Sequence, residues 1–219
     1  MQNLDLDTKP PERLICRIWS EAEAMLRREN GEHGLQHSER VLELCLRISE
    51  EEEEGDPLIL QAAAILHDIA EPEGGRKDHA KRSAEIAKEI LEKNEFPEEK
   101  IRSVLHAIEM HRFSDHKTPD TIESKILQDA DRLDATGAIG LARCFAFGGR
   151  RNCAIYDRSE IPSEYDPERK VSSLTHIQEK MLKISGTLHT KTAKKIAEER
   201  HSFMLEFIER LNSEIEGKK

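Results

Sequence analysis

Several things are scarce in this sequence, and each scarcity removes a class of protein. No run of 18 apolar residues occurs, which excludes a transmembrane helix. Residues 1–12 are polar and lack the apolar core of a secretory signal, so a cytoplasmic location is expected. Aromatic residues make up only 4%, which argues against a β-sandwich or barrel. There are 11 glycines and 8 prolines in 219 residues, few turn formers for a chain of this length. The four cysteines, Cys16, Cys45, Cys144 and Cys153, form no C-x-x-C, and three of them fall inside apolar helical patterns. That excludes a zinc–thiolate site or a disulfide framework and fits a reducing compartment. Basic residues are outnumbered 34 to 44, for a net charge of −10. A general duplex nucleic-acid binder needs a basic footprint, and none shows. The five glutamates at 50–54 read as a solvated helix end or loop.

What is abundant is helix-forming: Ala, Glu, Lys, Leu and Arg with a repeated 3.6-residue apolar period. A first helix carries Leu14, Ile15, Ile18, Trp19, Ala22, Met25 and Leu26 on one face, opened by Pro10 and Pro11. A second starts near Leu35 and stops before Gly55-Asp56-Pro57. A third, short helix holds Ala62-Ala63-Ala64-Ile65-Leu66 and is apolar on most faces, so it is expected to be central and buried. Helices are predicted over about 78–91 and 97–111, then one long helix over about 121–147, ended by Gly148-Gly149. Residues 148–170 read as an irregular excursion, and loops of that length usually carry function or disorder. Two more helices are expected over about 172–188 and 190–215. With no internal repeat and no change of composition, the fold class is all-α, a single domain of seven to eight helices.

The chemistry starts from ten histidines. His67-Asp68 closes the most apolar helix, where either residue must be paired, hydrogen-bonded or metal-bound, because burying it alone is costly. Three acids, Asp129, Asp131 and Asp134, lie on the long helix. At about 100° per residue they cannot all face one ion. Asp129 falls near the buried line, leaving Asp131 and Asp134 to pair with Arg132 or other neighbours. His33 and His37 are four apart, as in a zincin helix, but Gly34 stands where the zincin glutamate would be.

The order His37, then His67-Asp68, then Asp129, on three separate helices, resembles the HD-domain metal-dependent phosphohydrolase superfamily. The stretches AAAILHDIAE, ILQDADRLDATGAIGLARCFAFGG and THIQEKMLKISGTLHTKTAKKIAEERHSFMLEFIERL are similar to the small stand-alone HD hydrolases of prokaryotes. The resemblance covers about residues 30–212, with an HD core over about 30–147 and C-terminal helices over about 171–215. It implies that His37, His67, Asp68 and Asp129 ligate one divalent ion. Two imidazoles and two carboxylates suit Mn, Fe, Co, Ni, Zn or Mg without choosing among them. It further implies hydrolysis of a small phosphate ester or anhydride, a nucleotide above all, by a water that the metal activates. A nucleotide pyrophosphohydrolase, a phosphodiesterase and a non-catalytic metal-bound nucleotide sensor stay open as alternatives.

Asp68 and Glu71 are the candidate catalytic residues. Glu71, one helical turn past Asp68, could orient the water or protonate the leaving group. Arg76, Lys77, His111 and Arg143 are candidate substrate contacts. His79, His106, His111 and His116 fall in the interval where binuclear HD enzymes carry ligands for a second ion. His106 and His111 are about 140° apart on a regular helix, which speaks for one ion. No GYP motif and no RNA-binding extension are present, so the expected partner is a small, soluble phosphorylated compound, with no membrane or duplex nucleic acid. A homo-oligomer is compatible with the sequence.

Overall fold

The computed structural model describes residues 10–26, 34–70, 79–112, 118–166 and 169–218. Glu71, Arg76, Lys77, His33 and His116 lie outside the described residues. Among the described residues there are nine α-helices and no strand. None of these helices is long and apolar enough to cross a membrane. The chain divides into two compact units, residues 1–130 and 131–219.

The first unit is organised around its third helix. α1 spans Pro10–Leu26, α2 Leu35–Glu52, α3 Pro57–Leu66, α4 His79–Lys93 and α5 Glu98–Met110. Seven of the ten α3 residues are buried, as its composition predicts, and α3 packs against α1, α2, α4 and α5. Fully burying a Leu or Ile contributes about 1.5–3 kcal/mol. Leu60, Ile65 and Leu66 of α3 have zero exposure, as do Ile18 of α1, Ile48 of α2 and Ile108 of α5.

The start of α3 is fixed by local chemistry. Asp56 is the N-cap, and its carboxylate accepts the N–H of Leu58 at 2.9 Å and of Ile59 at 3.3 Å. Pro57 fills the first helical position, where its missing N–H costs nothing. Lys100 pairs with the Asp56 carboxylate from α5, and Glu123 accepts the Asp56 N–H at 3.1 Å. Gly55 has φ +89°, and a Cβ there would lie 3.1 Å from Ile126 Cδ1. The α3 helix therefore begins at one fixed point and ends ten residues later beside His67-Asp68.

The predicted long helix is two helices: α6, Ile122–Asp134, and α7, Gly137–Arg150. Gly137 has φ +67°, and a Cβ there would lie 3.0–3.2 Å from the Arg200 side chain. The end of α6 is tightened by Thr136 N–H on the Leu133 carbonyl at 2.9 Å. Arg200 Nη1 donates to the same carbonyl at 2.6 Å, a cation on a helix C-terminus. The division between the two units falls within α6.

In the second unit, the single helix expected over 172–188 is a short α8, Ser173–Glu179, followed by a 3-10 helix, Met181–Thr187. α9 spans Lys191–Ile215, with Thr190 as N-cap accepting the Ala193 N–H at 3.3 Å. Leu141, Ile177, Met181, Met204 and Ile208 form the core of this unit. The helix count exceeds the expected one because α6 and α7 are separate.

The excursion is irregular as expected but well tied down. Ser173 N–H bonds the Ala154 carbonyl and Leu174 N–H the Ile155 carbonyl, both at 2.9 Å. The Glu160 carboxylate accepts the Ser172 N–H and, at 2.7 Å, its hydroxyl. Glu179, 2% exposed, accepts the Ser163 N–H at 2.7 Å and pairs with Arg169. Arg158 donates to the Ile215 carbonyl at 2.9 Å.

Candidate metal centre

Four helix ends of the first unit bring four imidazoles onto one carboxylate. His37 is in the first turn of α2, His67 is the C-cap of α3, His79 opens α4 and His111 is the C-cap of α5. Asp68 lies between them. Its Oδ2 is 3.5 Å from His37 Nε2 and 3.6 Å from His67 Nε2. Its Oδ1 is 3.3 Å from His79 Nε2 and 3.3 Å from His111 Nε2. Within the pairs, His37 and His67 Nε2 are 3.1 Å apart, and His79 and His111 Nε2 are 3.3 Å apart. His37, His67, Asp68 and His111 are all 3% exposed or less.

The donor chemistry of this cluster calls for cations. His67 Nδ1 is 2.9 Å from the Ala64 carbonyl and His111 Nδ1 is 2.6 Å from the Ile108 carbonyl. A carbonyl only accepts, so both Nδ1 atoms carry the proton and, in the neutral ring, both Nε2 atoms are bare lone pairs. Those lone pairs face a carboxylate and another imidazole, an unfavourable arrangement unless a proton or a metal ion intervenes. A backbone carbonyl on the remote ring nitrogen is the usual partner of a metal-ligating histidine. The residues therefore fit a divalent ion, and Asp68, His79 and His111 by themselves gather three ligand atoms within 4.8 Å.

The structure brings His37, His67, Asp68 and His111 together, and adds His79. Asp129 is fully buried on α6 and belongs to none of the three-ligand groups found among the described residues. Asp131 on the same helix is half-buried. Arg143 pairs with Asp134, whose carboxylate it holds within the second unit. His106 is drawn to Asp120 at 2.6 Å. His111 lies beyond the last residue of α5, so the angular argument from a regular helix does not govern where its ring points.

Two supporting residues carried no signal in the sequence on their own. Ser83 of α4 is fully buried and accepts the Ala70 N–H at 3.2 Å. Gln128 of α6 is fully buried and donates to the Met110 carbonyl at 2.7 Å. A polar residue inside an otherwise apolar face, Ser83 at four residues from His79 and Gln128 between Leu127 and Asp129, is the pattern that could have drawn attention to them.

The sequence pattern of the HD domain family matches residues 34–136. The uncharacterized protein YpgQ of Bacillus subtilis is 33% identical over 205 residues, 92% of each chain. The crystal structure of an HD-superfamily hydrolase from Bacillus thuringiensis superposes with a TM-score of 0.75 at 33% identity, over 94% of this chain and 98% of that one. The crystal structure of Bacillus subtilis YpgQ in complex with ADP gives a TM-score of 0.74 at 30% identity, over 93% and 96%. The similarity runs over nearly the full length of each, and the histidines and Asp68 lie within or beside the matched region. The chain belongs to the HD-domain phosphohydrolase superfamily.

Proposed function

We propose that the protein hydrolyses a small phosphate ester or anhydride, a nucleotide by preference, with divalent metal. The observation that carries this reading is the Asp68 carboxylate, which offers one oxygen to His37 and His67 and the other to His79 and His111. His37, His67 and Asp68 would hold one ion. His79, His111 and Asp68 would hold a second, so this geometry favours two ions over the single one expected from helix phase. A divalent ion bound there polarises a phosphoryl oxygen and lowers the pKa of a water, which is what phosphate hydrolysis needs.

The chain's own residues supply the rest. His67 and His111 keep their Nδ1 protons on backbone carbonyls, which fixes both rings with Nε2 inward. Asp68 balances the charge of whatever the histidines hold. Glu71 remains our choice for orienting the water or protonating the leaving group, by its spacing from Asp68. Arg76 and Lys77, just beyond it in sequence, are our choice for phosphate contacts. The nucleotide preference draws on the ADP complex of YpgQ.

The test is product release from a panel of nucleoside mono-, di- and triphosphates and a cyclic nucleotide, with Mn²⁺, with Mg²⁺ and with chelator. We expect metal-dependent turnover on at least one nucleotide. Phosphate as product makes the protein a phosphatase, and pyrophosphate makes it a pyrophosphohydrolase. Metal bound with no turnover on any of the panel would contradict the nucleotide reading.

A further inference from the structure

Bonds within their own helix segments hold histidines on both sides: His37 N–H to the Gly34 carbonyl at 2.9 Å and His67 Nδ1 to Ala64 on the Oδ2 side, and His111 Nδ1 to Ile108 on the Oδ1 side. On the Oδ1 side, the helices that carry His79 and His111 are each joined to a neighbouring segment by one buried hydrogen bond. Ser83 lies one turn beyond His79 on the same face of α4, and its hydroxyl accepts the N–H of Ala70, two residues past Asp68. That bond ties α4 to the turn bearing the carboxylate. Gln128, from α6, donates its amide to the carbonyl of Met110, the last residue of α5, immediately before His111. Carbonyls in the last turn of a helix lack an intrahelical partner, so this amide fixes the peptide from which His111 departs.

We propose that Ser83 and Gln128 are positioning residues that set His79 and His111 against Asp68 Oδ1, and so govern binding of the second divalent ion. The proposal rests on the two-ion reading given above. The three ligand atoms on this side form a triangle with every edge at 3.3 Å. A ligand triangle built from two helices and a turn holds its shape only if those segments keep their spacing. Partners that orient metal ligands are worth about 10- to 100-fold in metal affinity when removed. Loss of either bond should act mainly on this side, because each bond holds one of the helices, α4 or α5, that carry its histidines.

The experiment is calorimetric titration of the full chain with Mn²⁺, with bound metal counted by elemental analysis. The unaltered protein, Ser83→Ala, Ser83→Thr and Gln128→Met are compared. The step that disappears in His79→Ala identifies the second ion. The proposal expects two Mn²⁺ per unaltered chain. It also expects about 10- to 100-fold weaker binding of the second ion in Ser83→Ala and Gln128→Met. The first ion should be held as before, and Ser83→Thr, which keeps the hydroxyl, should restore the second. Should Gln128→Met fail to fold, Ser83→Ala, which removes a single oxygen from a small side chain, carries the test by itself. Two ions in the unaltered protein with both steps weakened equally, or neither, overturns the positioning roles and leaves the two-ion reading standing. One ion per unaltered chain overturns the two-ion reading and the positioning roles with it.

Discussion

His67 Nδ1 lies 2.9 Å from the carbonyl oxygen of Ala64, one turn back in the chain. This bond takes up the only ring proton of the neutral histidine and leaves Nε2 facing His37 and Asp68 as a lone pair. The cluster is thus built for a cation it does not itself supply, and its stability should depend on one. At a free Mn²⁺ concentration of 100 times the dissociation constant, each site that binds only the folded chain adds about 2.7 kcal/mol. Thermal unfolding at pH 8 with and without chelator measures this. No shift in midpoint on chelation would contradict it.

Asp68→Asn should separate the cost of the cluster from its use. In metal-free protein at pH 8, a buried carboxylate facing imidazole lone pairs is unfavourable, so Asn should raise the unfolding midpoint. With Mn²⁺ present the order should reverse, because the variant loses the ligand shared by both sides. A variant less stable than the parent in both conditions would mean that Asp68 is held by something other than charge.

The α6 carboxylates can be told apart by substitution. Asp129 closes no three-ligand group among the described residues, and Asp134 is taken by Arg143. Asp129→Asn, at a position with no exposure, should lower stability by about 1–3 kcal/mol with metal binding retained. Equilibrium dialysis and urea unfolding of the variant and the parent decide it. Loss of metal with Asp129→Asn would establish Asp129 as the ligand that the sequence resemblance implies.

The excursion after α7 should loosen in acid. Burial would raise the Glu179 carboxyl, but Arg169 and the Ser163 N–H outweigh it and hold it below the ordinary value of 4.5. Burial likewise opposes Thr175 and Ser172 at Glu160, and again the hydrogen bonds prevail and lower it. A carboxylate lowered in the folded state contributes stability above its unfolded pKa and loses it as pH falls through the folded one. Amide exchange in residues 155–166 should accelerate relative to the α9 core as pH falls below the ordinary carboxylate value of 4.5, and Glu179→Gln should abolish part of that pH dependence. Equal acceleration in both regions would contradict the assignment.

Much of this architecture is legible in the sequence, because it depends on local signals. The apolar α3, the Asp56-Pro57 start and the Thr190 cap are each written within a few residues. The His37, His67 and Asp68 part of the site is legible for the same reason, as a motif ordered along helices. What escaped is tertiary. The break before α7 is made by Gly137 and the Arg200 side chain, 63 residues away, so the apolar period alone runs straight through it. Gly137→Ala, strained at φ +67° and pressed on Arg200, should cost about 1–3 kcal/mol in urea unfolding. The His79–His111 pair escaped because its 3.3 Å approach is set by how α4 and α5 end and begin, which helix phase does not describe.

The most direct test is hydrolysis of the best nucleotide of the panel by chelated protein, with Mn²⁺ added stepwise and bound metal counted, beside Asp68→Asn. The account predicts that product release rises only as Mn²⁺ is bound, and that Asp68→Asn binds little metal and releases none. Turnover by the chelated protein, or by Asp68→Asn at the parent's rate, would contradict a metal centre built on Asp68.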